Sequence, residues 1–236
     1  MKRISAYIIG ILISFCLVFA ALITAVEAVC YWTPGYFEQE YEKYDVLSAL
    51  PEMNMSDEDG LMAVTNHMMK YLRGDADAPE LQIEVSMGGE TRGFFTEREI
   101  LHMEDVRDLF VGAQQLRLWA LAATALGLLA IYLLCRKDFL FVLSRSLLLG
   151  TGILLLLFAG LSVILATDFS DAFVTFHHIF FDNDLWILNP KEDMLINIVP
   201  EGFFFDTAMR IAAIFGCAVA AVLGLSIFGT VKTRKK

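Results

Sequence analysis

Charge is missing from four long stretches of this chain. Residues 4–26, 118–135, 147–166 and 211–231 contain no Asp, Glu, Lys, Arg or His, and each run is about 18–23 residues, close to the roughly 20 that carry a helix across a bilayer. Transporters, pumps and proton channels place ionisable groups inside their spans, so the absence argues against those classes and moves any chemistry into the loops. Cysteine is scarce as well. Of the four, Cys16 and Cys217 fall inside apolar runs, Cys135 ends one, and only Cys30 is placed to reach the outer face, so no disulfide framework is expected. An apolar buried cysteine is most simply packing. Basic residues are nearly absent from residues 168–206, where a single lysine, Lys191, stands against eight carboxylates. Acidic loops exclude nucleic acid as a partner, since that needs a basic patch. Also missing are a Gly-x-Ser-x-Gly elbow, a Cys paired with a nearby His, an HExxH helix and a Cys-x-x-Cys pair. An acyl-enzyme on Ser or Cys and a zinc site therefore have no sequence support.

What is present is apolar mass. Hydrophobic residues make up 57% of the 236 and the mean hydropathy is +0.58, above the roughly 45–50% of soluble domains. The fold expected is an integral membrane protein, mainly α, with four transmembrane helices and an extracytoplasmic helical cap that contains a short β-hairpin. The basic residues Lys2, Arg3, Arg136, Lys137, Arg145, Lys232, Arg234, Lys235 and Lys236 gather at both ends and in the short middle loop, which the positive-inside rule places in the cytoplasm. The layout follows: helix 1 over 4–26, an outer loop domain over 27–115, helix 2 over 116–135, a cytoplasmic loop over 136–146, helix 3 over 147–166, a second outer loop over 167–206, helix 4 over 207–231, and a cytoplasmic tail over 232–236. The net charge of −10 then belongs mostly to the outer face. The first run is longer than the roughly 7–15 apolar residues of a secretory signal and reads as an uncleaved anchor. Cys30 lacks the small residue that precedes a lipidated cysteine, so the chain is not expected to be a lipoprotein itself.

In the first outer loop, Tyr31-Trp32 reads as an interfacial anchor, Pro34-Gly35 as a turn and residues 36–50 as helical. Ser56 is placed to cap a helix that Gly74 ends, with Leu61, Thr65, Met68 and Leu72 as its apolar stripe beside Met62 and Met69. Residues 81–85 alternate apolar and polar, Gly88-Gly89 offers positive φ, and residues 91–95 return, which predicts a hairpin covered by neighbouring helices. Thr96-Glu97-Arg98-Glu99 matches a capping box opening a helix of about 14 residues through Phe110, with His102 and Asp105 on one side of it. In the second outer loop, residues 171–181 predict a short helix on which His177 shares a face with Phe173, Phe180 and Phe181 while His178 points away. Residues 182–184 form a turn, Asn189-Pro190 start another helix, and Pro200 ends that piece before Phe203-Phe204-Phe205.

Two chemistries remain open from the residues alone. His67 with Met53, Met55, Met68, Met69 and Met103, joined by His177 and His178, could offer soft metal ligands, although methionines along a helix face more simply fill core gaps. Alternatively His102 and His177 meet from two outer loops as an acid/base pair, with Asp105 or another carboxylate in support. A histidine without a protein nucleophile suits a reaction whose substrate supplies its own. Each histidine could also be an ordinary interfacial residue, which leaves a non-catalytic outer-face module, a metal-binding sensor or an assembly factor, as the alternative function.

The blocks His102-Met103-Glu104-Asp105-Val106, 176–186 (FHHIFFDNDLW) and Pro200-Glu201-Gly202-Phe203-Phe204 resemble the bacterial lipoprotein intramolecular transacylase family, within a matching four-span layout over most of the chain. The resemblance implies a cell-membrane acyltransferase that moves the sn-2 acyl chain of an S-diacylglyceryl cysteine onto that cysteine's own α-amine, leaving a lyso-form lipoprotein. It implies no cofactor, and as partners a diacylated lipoprotein or lipopeptide and membrane lipid. The family's catalytic histidines fall on His102 and His177, and His178 falls where its pattern varies. Asp105, Asn183, Asp184, Trp186 and Glu201 would support them. Phe173, Phe176, Phe180, Phe181, Phe203 and Phe204 would meet acyl chains at the outer leaflet or form an interfacial belt.

Overall fold

A computed structural model of the protein describes residues 2–50, 58–87 and 90–234. The helix cap at Ser56, the hairpin turn at Gly88-Gly89, Met53, Met55 and the last two lysines lie outside the described residues. The chain is mainly helical. Four helices are long and apolar enough to cross a membrane: α1 (Lys2–Trp32), α5 (Glu97–Leu134), α6 (Phe139–Thr167) and α9 (Glu201–Arg234). Between them run α2 (Tyr36–Lys43), α3 (Val46–Ala49), α4 (Glu58–Arg73), β1 (Glu84–Met87), β2 (Glu90–Gly93), α7 (Phe169–Phe180) and α8 (Leu195–Ile198).

The long helices exceed the apolar runs inside them. The expected break between a helix ending near Phe110 and the second span does not occur, and α5 continues for 38 residues. No proline stands between Phe110 and Leu118, and Gly112 alone costs a helix only about 1 kcal/mol, less than the surrounding hydrogen bonds supply. Likewise Phe203-Phe204-Phe205 belongs to the first turns of α9 rather than to a loop.

The chain divides into two compact units. The first holds Met1–Glu27, Gln114–Asp168 and Arg210–Lys236. Its helices approach closely where residues are small: a β-carbon on Gly10 would lie 2.3 Å from that of Ser146, and one on Gly150 would lie 2.6 Å from that of Ser14. Ser14 Oγ donates to the carbonyl of Gly10 at 3.1 Å. Close backbone approach at Gly and Ser replaces the hydrophobic drive that lipid removes. Val18, Ala25, Leu154, Phe215 and Val219 form one buried cluster, and Ala6, Ile13, Ile131 and Val142 another. Only a minority of each apolar span is buried, and the exposed leucines and isoleucines are the surface lipid would solvate. Glu27 and Arg117 pair within this unit.

The second unit holds Ala28–Ala113 and Phe169–Met209. Gly35 turns the chain into α2 with φ +69°. The segment after it is two helices, because Asp45 takes φ +49° between α2 and α3. The predicted α4 stripe holds: Leu61, Thr65, Met68 and Leu72 are all buried. Gly74, at φ +80°, closes α4 by donating its amide to the Tyr71 carbonyl at 3.0 Å.

The hairpin differs from expectation in register and in cover. β1 pairs antiparallel with β2, Glu84 facing Gly93 and Met87 facing Glu90, so pairing sits nearer the turn than residues 81–83. At its base the Gln82 side chain substitutes for a ladder rung, accepting the Phe95 amide at 3.1 Å and donating to the Phe95 carbonyl at 2.9 Å. β2 is exposed throughout, rather than roofed by helices. Its residues are Glu, Thr, Arg and Gly, which gain little from burial, and the apolar anchors Leu81, Phe94 and Phe95 are buried just outside the strands.

The expected helix at Asn189-Pro190 is a single turn. Asn189 accepts the Lys191 amide on its side chain and the Glu192 and Asp193 amides on its carbonyl, and the chain becomes helical only at α8. Asp193 Oδ2 takes the Asn189 amide at 2.7 Å. This local exchange offers the backbone an alternative to continuing a helix.

Candidate active site

The two histidines singled out from separate loops meet inside the second unit. His102 stands in the second turn of α5, whose start is fixed by the predicted capping box: the Thr96 amide donates to Glu99 Oε2 at 2.6 Å and the Glu99 amide to Thr96 Oγ1 at 3.3 Å. His177 lies near the end of α7. The two imidazole centroids are 6.0 Å apart, and both residues are buried, at 6% and 7% exposure. His178, one residue on and about 100° around the helix, is exposed and lies perpendicular to the Trp186 ring at 5.2 Å.

Aromatic rings fix the pair. Trp186 stacks on His177 with centroids 4.7 Å apart and planes 29° from parallel. Phe173 lies 4.2 Å from His177, and Phe181 packs against both histidines, at 5.3 Å from His102 and 5.6 Å from His177. Phe176 borders His177 at 5.6 Å. Phe180 turns outward instead, half exposed and packed on Phe176 at 4.6 Å. Phe204 reaches the cluster only through Phe173, at 5.3 Å, while Phe203 is buried among Tyr36, Phe37 and Tyr41.

One hydrogen bond decides a tautomer. His177 Nδ1 lies 2.7 Å from the Phe173 carbonyl, and a carbonyl only accepts, so Nδ1 carries the proton and Nε2 of the neutral ring holds a lone pair. His102 Nδ1 is buried without a hydrogen-bond partner among the described residues. Burial, then the neighbouring His177, hold the His102 pKa down to about 4, against a smaller upward pull from Asp105. Burial also lowers that of His177, partly opposed by the Phe173 carbonyl. Both rings are therefore neutral at physiological pH.

The carboxylates and amides act one step removed. Asp105 accepts Asn183 Nδ2 at 2.9 Å rather than a histidine, and Asn183 Oδ1 accepts the Leu185 amide at 3.0 Å. Arg98 donates to the Asp184 carbonyl. Arg98 and Asp105 thus fasten the turn leading to Trp186 to α5 on both sides of His102. Glu201, at the start of α9, accepts Ser170 Oγ and belongs to the seam between α7 and α9.

Sequence reasoning missed the deeper fastening. Glu99, fully buried, serves as more than a cap: its Oε1 accepts the Leu195 amide, 96 residues away. Thr96 Oγ1 donates to Asp193 at 2.9 Å. The capping-box pattern located Glu99 and Thr96, but nothing in a linear pattern announces a second acceptor oxygen directed at a distant amide. Burial raises the Glu99 pKa.

The soft-ligand alternative takes a different form. Met68, Met69 and Met103 are buried as packing, and His67 Nε2 lies 2.8 Å from the Glu80 carbonyl. Among the described residues no three His, Cys, Asp or Glu side chains gather as a metal would require.

The depressed His102 pKa makes a stability prediction. A histidine that titrates at about 4 in the folded chain and at 6.5 otherwise leaves the unfolded state binding more protons between those values, so its stabilising contribution is present above about 6.5 and lost as pH falls toward about 4. Glu99, raised, works in the opposite direction. The detergent-solubilised protein compared with His102→Gln should therefore show a gap in melting temperature that changes across this window and is constant above it. A constant gap from pH 4 to 8 would contradict the assignment.

A model of the family described as "Lipoprotein intramolecular transacylase Lit" matches residues 11–204. No curated protein sequence matches. The fold is similar to that of the membrane integral lipoprotein intramolecular transacylase from Bacillus cereus solved in meso, with a TM-score of 0.70 at 22% identity over 98% of this chain and 99% of that one. Structures of two histidine variants of that protein, one to arginine and one to alanine, match at TM-scores of 0.67 and 0.68 and 21% identity, covering 98% of this chain and 94% and 96% of theirs. Identities this low show the shared fold of an integral, multi-pass membrane protein, and the family match extends over most of the chain. The chain belongs to the lipoprotein intramolecular transacylase family and is a membrane acyltransferase.

Proposed function

We propose that the protein transfers the sn-2 acyl chain of an S-diacylglyceryl cysteine to the α-amine of that same cysteine, with His102 and His177 as the acid/base pair. The observation that supports this most is the buried histidine pair, 6.0 Å between centroids, with the His177 proton held on Nδ1 by the Phe173 carbonyl. Nε2 of His177 is the free lone pair and takes the proton of the attacking amine. The amine nitrogen bonds to the ester carbonyl carbon, and charge builds on the carbonyl oxygen. Collapse breaks the bond from that carbon to the sn-2 glyceryl oxygen. The departing oxygen takes the proton back through the pair, leaving an amide and a free glyceryl hydroxyl. His102, neutral and adjacent, donates to the developing charge or relays that proton.

Because nucleophile and ester belong to one molecule, the protein needs to hold a near-attack geometry and no acyl-enzyme forms. That accords with a sequence that carries no Gly-x-Ser-x-Gly elbow and no Cys paired with a nearby His. An α-amine has a pKa of roughly 7.7–8.0, so a neutral base with a lowered pKa meets a partly neutral nucleophile at physiological pH. Phe173, Phe176, Phe181 and the exposed Phe180 offer apolar surface for the acyl chains beside His177, with Phe204 extending it. The basic termini and middle loop support a topology with both ends in the cytoplasm and the histidines at the outer face of a bacterial cell membrane.

The test is conversion of a synthetic diacylated lipopeptide by the purified protein, followed by mass spectrometry. The product should have unchanged mass, and fragmentation should place one acyl group on the cysteine nitrogen. A peptide whose α-amine is acetylated should be inert. Retention of both chains on glycerol, alongside an active reference enzyme, rules the reading out.

A further inference from the structure

Trp186 carries a feature that its stacking does not use. Its Nε1 is buried and has no hydrogen-bond partner among the described residues, although its ring lies 4.7 Å from His177. An indole N–H is a donor only, and leaving one buried and unpaired is destabilising. A phenylalanine could stack on an imidazole without that cost, and Phe173 and Phe181 already pack on His177 as tilted rings. The turn bearing Trp186 is nevertheless fastened to α5 by Asn183 to Asp105 and by Arg98 to the Asp184 carbonyl, so the indole is held in place with its donor unsatisfied. The acceptor such a donor lacks is one a ligand brings.

We propose that Trp186 Nε1–H is a catalytic hydrogen-bond donor to the carbonyl oxygen of the reacting ester, stabilising the negative charge that forms there when the amine attacks. This rests on the acyl transfer proposed above. The indole gives no proton away, so proton transfer stays with the histidines, and Trp186 adds a donor to the developing charge beside any that His102 supplies. No bond is made or broken at the indole.

The test uses the full-length protein and a diacylated lipopeptide, with two substitutions that keep an aromatic ring on His177. Trp186→Phe removes the N–H with some loss of ring area. Replacing Trp186 with benzothienylalanine, introduced by codon suppression, puts sulfur in place of the N–H at nearly constant shape. Both should lower kcat by about 10²–10³, the usual effect of deleting one oxyanion donor, with KM changed less than about threefold and melting temperature near that of the parent. Full kcat in the benzothienyl protein overturns the proposal, whatever Trp186→Phe does, because the ring and not its N–H would then matter. A rise in KM with kcat intact also overturns it, since the contact would then serve binding equally in ground and transition states. His177→Ala, run alongside, separates the two levels: if it retains activity, the underlying acid/base reading fails, and if it is inactive while both Trp186 variants are fully active, only the role of the indole fails.

Discussion

His177→Ala should lower lipopeptide conversion by about 10²–10⁴-fold, the range that general acid–base catalysis contributes, and His102→Ala should fall in the same range. His178→Ala should stay within a few-fold of the parent. The contrast comes from burial. His177 and His102 lie inside the ring cluster, whereas His178 is exposed and lies perpendicular to the Trp186 ring. The double variant should be little worse than either single one, because two groups that pass one proton act as a unit. Initial rates followed by mass spectrometry decide this. Activity in both single alanine variants, or loss in His178→Ala alone, would assign the chemistry to the wrong ring.

Glu99→Ala should unfasten the second loop from α5. The substitution leaves the Leu195 and Thr96 amides without their acceptor, each worth about 1–3 kcal/mol when buried and unpaired. In a chain of this size 1 kcal/mol moves a melting temperature by about 2–4 °C, so the total loss is expected at about 4–24 °C. Activity should fall with it, because His102 is three residues further along α5 and His177 and Trp186 are carried by the loop being released. Glu99→Gln, which keeps one accepting oxygen, should fall between the parent and the alanine variant in melting temperature. A Glu99→Ala protein with parental melting temperature and activity would mean that the buried carboxylate fastens nothing.

The four apolar helices were legible because lipid demands an uncharged run of fixed length, and that demand is local. The start of α5 was legible for a similar reason: Thr96 and Glu99 satisfy each other's amides within one turn. The α4 stripe and its Gly74 stop were equally local. Where sequence reading erred, a local signal lacked force or was outcompeted. Gly112 was too small a cost to break α5. Asn189 found partners in its own turn and did not start a helix, and Gln82 took over a rung that alternating residues had suggested for the backbone.

The site divides the same way. Histidine type, aromatic company and the resemblance carried by residues 176–186 were enough to select His102 and His177. Their 6.0 Å approach, the turning of Asp105 toward Asn183, and the unsatisfied indole of Trp186 were decided only by tertiary structure. Periodicity specifies which face of one helix a side chain occupies, but not which residue some 75 positions away will cover that face. Burial where the two loops meet holds both rings neutral, whereas the tautomer of His177 is set within its own helix turn by the Phe173 carbonyl.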